Sequence, residues 1–573
     1  MRFGPSFQAD ATGFSLWAPS VEAVDIELQG RGRFAMVRND EGWFSFRERC
    51  EAGTKYRFCL EDGLCFPDPA SWRQSGGVHG WSVVVDPDAY RWQNPGWRGR
   101  PWREAVVYEA HAGLMGGFEG VRRRLPELAR LGITAIELMP IGDFPGSRNW
   151  GYDGVLLYAP AEAYGTPEEL KALIDAAHGL GMMVLLDVVY NHFGPDGNYL
   201  NRIASGFFHA EDHTPWGSAI AFDDPLVAGF FVQNALLWLN EYRFDGLRLD
   251  AVHAIRPAPA LRRLGQAIRS GVSSDRQVHL VIENENNEAA LLPEPFDAQW
   301  NDDFHHCIHV LLTNETDAYY ADYETGTADK LARCLASGFA YQGEHSPNLQ
   351  RPRGSPADDI PLTSFISFIH NHDQIGNRAL GERLAQLAAP DAFRAAITLT
   401  LLCPHIPMIF MGDEFGSRSP FLFFTDHNAA LAEAVRDGRR NEFRHFPAFQ
   451  SEQDRSRIPD PNDEDTFRQS IPKPDNSGFD WSSFYRTLLS LRSRFVTPYL
   501  DGARTIEARA LSDCSVMAAW RLGNASEWML AANFGLVHLP FQPERDLHLL
   551  SPSVSSYGGS LPPQTTLAWM KLP

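Results

Sequence analysis

The chain has 573 residues, 44% of them hydrophobic, enough for a large core and, by the usual size relation, roughly three or four domains. A formal charge of −21 argues against a nucleic-acid partner or an anionic membrane surface. The start, Met1-Arg2-Phe3-Gly4-Pro5, has no apolar signal core, and no uninterrupted apolar run approaches ~18 residues, so no membrane partner is expected.

The first ninety residues carry short alternating segments, among them Phe14–Trp17, Val24–Leu28, Trp43–Phe46 and Tyr56–Leu60, punctuated by Gly, Pro and Asp. No helical stripe intervenes, so residues 1–90 read as a β-sandwich. Its tail, Phe66 to Gly80, is too irregular for a strand and is expected to pack on the following domain. The seven cysteines, at positions 50, 59, 65, 307, 334, 403 and 514, are odd in number and lack CxxC spacing. They read as reduced thiols of a cytoplasmic protein, with neither a metal site nor a disulfide framework.

Beyond a Trp/Pro/Gly-rich linker, Trp92 to Trp102, strands alternate with helices, the sign of a parallel sheet. The expected strands are Ala105–Ala110, Ile133–Met139, Met182–Val189, Gly246–Val252, His279–Ile282, Asp297–Trp300, Phe365–Ile369 and Ile406–Phe410. Helices are expected at Gly120–Leu131, Pro167–Leu180, Pro225–Tyr242, Pro259–Ser270 and Pro390–Leu402. Eight such strands imply an α/β fold, a (β/α)8 TIM barrel within residues 91–495. Long insertions follow strand three (Asn191 to Asp224) and strand six (Asp302 to Thr363), and their aromatics suit a substrate rim. A last helix, Trp481 to Phe495, leads into Val516–Trp520, Glu527–Asn533 and Thr565–Lys571, a second β-sandwich over residues 496–573.

In such barrels the reactive groups sit at the C-terminal strand ends. Those ends read Asp187-Val188-Val189-Tyr190-Asn191-His192, then Arg248 and Asp250, then Glu283-Asn284, then Asn371-His372-Asp373. A strand-end Asp more often caps a helix and a lone His more often sits satisfied in a core, but four such ends on one face outweigh those readings. A carboxylate pair of this kind suits glycoside hydrolysis. Glu283 follows the apolar run His279–Ile282, where desolvation would keep it protonated as an acid, while Arg248 would keep Asp250 ionised as a nucleophile. Asp373 is placed to bind sugar hydroxyls, with His192 and His372 as hydrogen-bond donors. No Cys/His metal spacing or Gly-rich phosphate loop is present, so no cofactor is expected and no metal ligand is assigned, with calcium left open in the absence of an acidic calcium loop.

These four stretches resemble the signature regions of the α-amylase superfamily. The resemblance implies double displacement with retention, Asp250 as nucleophile, Glu283 as acid/base and Asp373 as third catalytic aspartate. It places Tyr152, His192, Arg248 and His372 around the sugar at the cleavage point. Asp68–Ser71 with Gly77–Gly80, Ala298–His306, Asn371–Arg378, Phe410–Phe415 and Pro420–His427 further resemble the maltooligosyltrehalose trehalohydrolases, although the loop Ala112–Phe118 is shorter than usual there. That likeness implies a maltooligosyl trehalose substrate among α-glucans, and a maltooligosyltrehalose synthase as pathway partner. Trp150, Trp216 and His253 are candidate lining residues, with plain packing equally open for each. The competing readings are a glycogen branching or debranching enzyme and an inactive glucan-binding protein.

Overall fold

The computed structural model describes every residue except 1, 2, 9, 10, 215, 216, 544–546 and 551–556. Eight strands form a closed parallel barrel: β1 (Val107–Ala110), β2 (Ala135–Leu138), β3 (Met183–Val188), β4 (Gly246–Leu249), β5 (His279–Ile282), β6 (Ala298–Trp300), β7 (Phe365–Ser367) and β8 (Ile406–Phe410). Nearly every position in them is buried, as their continuous apolar runs require when helices cover a parallel sheet. Each expected strand is present, His279–Ile282 and Ile406–Phe410 with the expected ends and the others trimmed. Strand β4 stops at Leu249 because Ala251 takes a left-handed turn, φ 40°.

Helices α1 (Gly117–Leu131), α2 (Pro167–Gly179), α3 (Pro225–Leu236), α4 (Ala258–Ser270), α5 (Asp302–Thr313), α6 (Thr327–Ser337), α7 (Pro390–Leu402) and α8 (Trp481–Phe495) surround the barrel or fill its insertions. Helix α2 starts with Pro167 inside a capping box of Thr166 and Glu169. The segment expected as one helix to Tyr242 changes at Leu236 into a π-helical turn, Leu237–Glu241. The insertion after β6 is not a plain loop but carries α5 and α6, and a further long connection, residues 139–166, follows β2.

At the barrel's N-terminal end, fully buried Asp245 accepts hydrogen bonds from Trp97 Nε1 (2.7 Å), His178 Nε2 (2.9 Å) and Val184 N (2.9 Å). This fastens the Trp-rich linker to the bottom of the barrel. Ahead of the linker, a three-stranded sheet containing Thr12–Trp17 and Trp43–Glu48 faces a six-stranded one containing Asp25–Leu28 and Lys55–Cys59. Phe14 and Tyr56 meet between them at 4.7 Å.

Two expectations need correction here. The segment after Leu64 contains short strands, Cys65–Phe66 and Gln74–Ser75. Cys59 and Cys65 stand directly opposite in the antiparallel register and form a disulfide, so the reading of all seven cysteines as reduced thiols fails for this pair. The other five are free. The tail does reach the barrel: Gly76 N and Gly77 N donate to Glu162 Oε2, and His79 meets Asp196 and Tyr199.

At the other end of the chain a five-stranded antiparallel sheet includes Arg504–Ser512, Ser515–Arg521, Glu527–Asn533 and Thr565–Lys571. Trp528 Nε1 donates to Leu402 O at 2.9 Å and Trp520 Nε1 to Leu335 O at 3.1 Å, which ties this sheet to the ends of α7 and α6. Among the described residues no helix is long and apolar enough to cross a membrane.

Candidate active site

A cavity of about 540 Å³ opens at the C-terminal ends of the barrel strands. Asp250, Glu283, Asp373, Tyr152, His192, Trp150 and His253 all line it, while Arg248 and His372 lie buried beneath. Trp216 lies outside the described residues.

Arg248 is the hub of the floor. Alternation along β4 points it into the barrel, fully buried, with Trp300 3.9 Å from its guanidinium carbon. Its Nη1 donates to Asp187 Oδ2 (2.6 Å) and Asp250 Oδ1 (2.9 Å), and its Nη2 to Glu283 Oε2 (2.6 Å). One guanidinium therefore bridges three carboxyls, not the single Arg248–Asp250 pair the sequence suggested. A planar fork of fixed donors suits that task as an ammonium could not.

The two central carboxyls are held differently. Asp250 receives Arg248 on one oxygen and Asn191 Nδ2 on the other at 2.7 Å. Glu283 takes both its bonds on Oε2, from Arg248 and from Ala251 N at 2.9 Å. The left-handed turn at Ala251 aims that N–H at Glu283, backbone strain placed at the site. Glu283 Oε1 is left to carry a proton. Burial pushes the Glu283 carboxyl well above the ordinary glutamate range; Arg248 opposes this, while Asp250, Asp373 and Asp302 add to it.

Asp373 opens a short helix, His372–Gly376, capped by Asn371. Burial works against its charge, but His372, 3.3 Å away, and Arg248 outweigh burial and hold the carboxyl below its usual value. His372 Nδ1 in turn bonds Glu109, and between Asp373 and Glu109 the buried imidazole is kept charged. Tyr152 stacks on His372 with centroids 5.1 Å apart and donates its hydroxyl to Asp187 Oδ2 at 2.6 Å. His192 bonds Asn191 through one ring nitrogen and Tyr152 O through the other at 3.0 Å, so it braces the Tyr152 loop.

Sequence reasoning passed over Glu109 on β1 and Glu137 on β2, adjacent in register on the barrel floor. Neither Glu137 oxygen has a hydrogen-bond partner among the described residues, and burial, then Asp187 and Glu109, push its carboxyl far up, so it is a neutral acid. A single acidic residue inside each apolar strand was the available signal. The opposite wall comes from the insertion after β6, whose aromatics were expected at a substrate rim: Asp302, His306, Tyr319, Tyr323 and Arg353 line the cavity there. Among the described residues the one cluster with metal-ligand spacing is Glu27, Cys59 and Cys65, away from the cavity and with its two sulfurs joined.

An eight-stranded barrel with three carboxyls gathered at its C-terminal mouth defines a glycoside hydrolase of the alpha-amylase class, and the family model "Alpha amylase, catalytic domain" matches residues 93–219. The malto-oligosyltrehalose trehalohydrolase of Saccharolobus solfataricus is 37% identical over 86% of this chain and 87% of its own length. A solved structure from Salmonella typhimurium, described there as a provisional alpha amylase, superposes with a TM-score of 0.94 at 42% identity over 99% of both chains. A 1,4-alpha-glucan branching enzyme of Photobacterium profundum is 35% identical, but over 42% of this chain and 38% of its own. The chain belongs to the malto-oligosyltrehalose trehalohydrolase family.

Proposed function

We propose that this chain hydrolyses the α-1,4-glucosidic bond next to the terminal trehalose of maltooligosyl trehalose, releasing trehalose and a maltooligosaccharide with retention of configuration. The observation that carries the chemistry is the single Arg248 guanidinium joining Asp250 to Glu283, which holds the two carboxyls close enough to flank one glycosidic bond. The names of the full-length relatives supply the substrate.

In this reading Asp250 attacks the anomeric carbon while Glu283 gives its proton to the glycosidic oxygen, and trehalose departs. Glu283, now ionised, takes a proton from water, whose oxygen displaces Asp250 and frees the maltooligosaccharide as its α anomer. Asp373 accepts hydrogen bonds from hydroxyls of the distorted sugar, Tyr152 gives it a flat face, and Arg248 with His372 fixes the carboxylates. A maltooligosyltrehalose synthase would supply the substrate, and the cytoplasm is the proposed location, in keeping with five free thiols. The branching reading has sequence support over less than half of the chain, and an inactive binding protein would have no need of both Asp250 and Glu283.

Proton NMR of maltotriosyl trehalose during turnover tests this directly. Free trehalose and α-maltotriose should appear first. A first-formed β anomer would remove Asp250 as nucleophile, and a product mixture without trehalose would remove the substrate assignment.

A further inference from the structure

The polar segment after β8 contains a helix of 14 residues, Ala429–Glu442, none of which is fully buried. Such a helix gains little from packing and needs an anchor. Arg439 supplies it, with a side chain only 8% exposed. Its guanidinium carbon lies 5.6 Å from the ring centre of Phe423 and 4.7 Å from that of Phe443. Its Nη1 pairs with Glu442 Oε2 at 2.9 Å, and its Nη2 donates to Gly376 O at 2.7 Å and to Arg378 O at 3.0 Å. Arg439 itself does not line the cavity.

Those two carbonyls belong to the residues on either side of Asn377, at the C-terminal end of the short helix that carries Asp373. Asn377 N donates back to Asp373 O at 2.8 Å, and Asn377 Nδ2 stands 3.5 Å from Asp373 Oδ1. A helix of 5 residues is too short to hold itself. Its first end is fixed by the Asn371 capping box and by the bond of His372 to Glu109. Its last end leans on two groups. Trp150 packs so closely on Gly376 that a Cβ there would fall 2.1 Å from the indole, and Arg439 takes the two carbonyls. A cationic donor also suits the carbonyls that end a helix. Trp150 in turn meets Phe423 with centroids 5.2 Å apart and donates Nε1 to Leu422 O at 2.9 Å. Arg439, Phe423 and Trp150 thus bracket the end of this helix, and Asp373, Asn377, Phe423 and Trp150 all face the cavity.

We propose that Arg439 is a positioning residue for the hydrolysis. By fixing the carbonyls around Asn377 it sets where Asp373 presents its carboxyl to the sugar, and by lying on Phe423 it sets the wall beside that carboxyl. The assignment rests on the reading of Asp373 as a sugar-binding catalytic group. One guanidinium can lie on an aromatic ring and still donate to two carbonyls, which an ammonium does less well. Hydrogen bonds to the reacting sugar strengthen as its ring distorts, so a misplaced Asp373 costs kcat more than KM.

The test is a double-mutant cycle of Arg439→Met and Asp373→Asn, with kcat and KM measured on α-maltosyl fluoride, whose leaving group needs no proton and keeps slow variants measurable. All assays run well below each variant's melting temperature, and circular dichroism checks the fold. Arg439→Met keeps an unbranched side chain and removes the donors. It should lower kcat by about tenfold to a hundredfold with KM within about threefold of wild type. In the Asp373→Asn background the same substitution should change kcat by less than about twofold, because the group it positions is gone. If Arg439→Met does not fold, Arg439→Lys takes its place in the cycle; it retains a donor for the carbonyls and should show a smaller loss, absent again beside Asp373→Asn. An equal fold-loss in both backgrounds would make Arg439 a structural anchor alone and overturn the proposal, as would a wild-type kcat in Arg439→Met. A wild-type kcat in Asp373→Asn would remove both the proposal and the reading of Asp373 beneath it.

Discussion

At the scale of single residues, function comes down to how one arginine divides its donors. Asp250 has both oxygens occupied by donors and opens onto the cavity, while Glu283 keeps one oxygen without a protein donor. Asp250→Asn and Glu283→Gln should each retain the fold and lose at least about three orders of magnitude in kcat, measured by reducing-end release with maltotriosyl trehalose. Residual turnover above about a tenth of wild type would exclude that residue from the mechanism. The pH profile gives a second check. Glu283 must be protonated to act, so activity falls as pH rises through its burial-raised value, and Asp302 is one of the negative neighbours that lift it. Burial raises Asp302 itself to about 7, so above neutrality it is charged. Asp302→Asn removes that charge and should move the basic limb of kcat to lower pH, by about half a unit to one unit. A basic limb that stays in place, or moves up, would show that the limb is not Glu283.

Among the elements, the barrel strands were legible because each is a short, mostly apolar run between turn residues, and His279–Ile282 and Ile406–Phe410 have the expected ends. Their catalytic residues were legible for the same reason: a charge just after such a run has few structural explanations. The floor acids Glu109 and Glu137 were not, since their meaning depends on the register that sets them beside Asp187, Arg248 and His372. The insertion after β6 was expected at a substrate rim from its aromatics, but which of its residues line the cavity depends on how it folds back. The Cys59–Cys65 disulfide hides in a six-residue spacing that only the hairpin register makes adjacent. Asp245, just before β4, holds three donors together far from the cavity. Asp245→Ala strands them, and at about 1–3 kcal/mol per orphaned group should destabilise the protein by about 3 kcal/mol or more. Urea denaturation at pH 7 would show the lowered midpoint, while kcat/KM at low temperature stays near wild type. An unshifted midpoint would mean that water replaces the carboxylate at no cost.

Across the whole molecule, the cavity is lined by residues between 149 and 423 alone, from the barrel and its inserted loops, and the flanking sheets pack outside it. The flanking sheets brace the barrel's surroundings: His79 from the N-terminal side touches Asp196 in the loop after β3, and the C-terminal sheet grips α6 and α7. Maltotriosyl trehalose and maltopentaose contain the same five glucose units and differ in their terminal linkage. The ratio of kcat/KM for the two, measured with the wild-type enzyme under the same conditions, is therefore the most direct test. Two or three polar groups left unpaired by the wrong end, at about 1–3 kcal/mol each, predict a preference of about a hundredfold or more for maltotriosyl trehalose. Equal values would mean that the cavity reads an α-1,4-glucan without regard to its end, and the trehalose-releasing function would be contradicted.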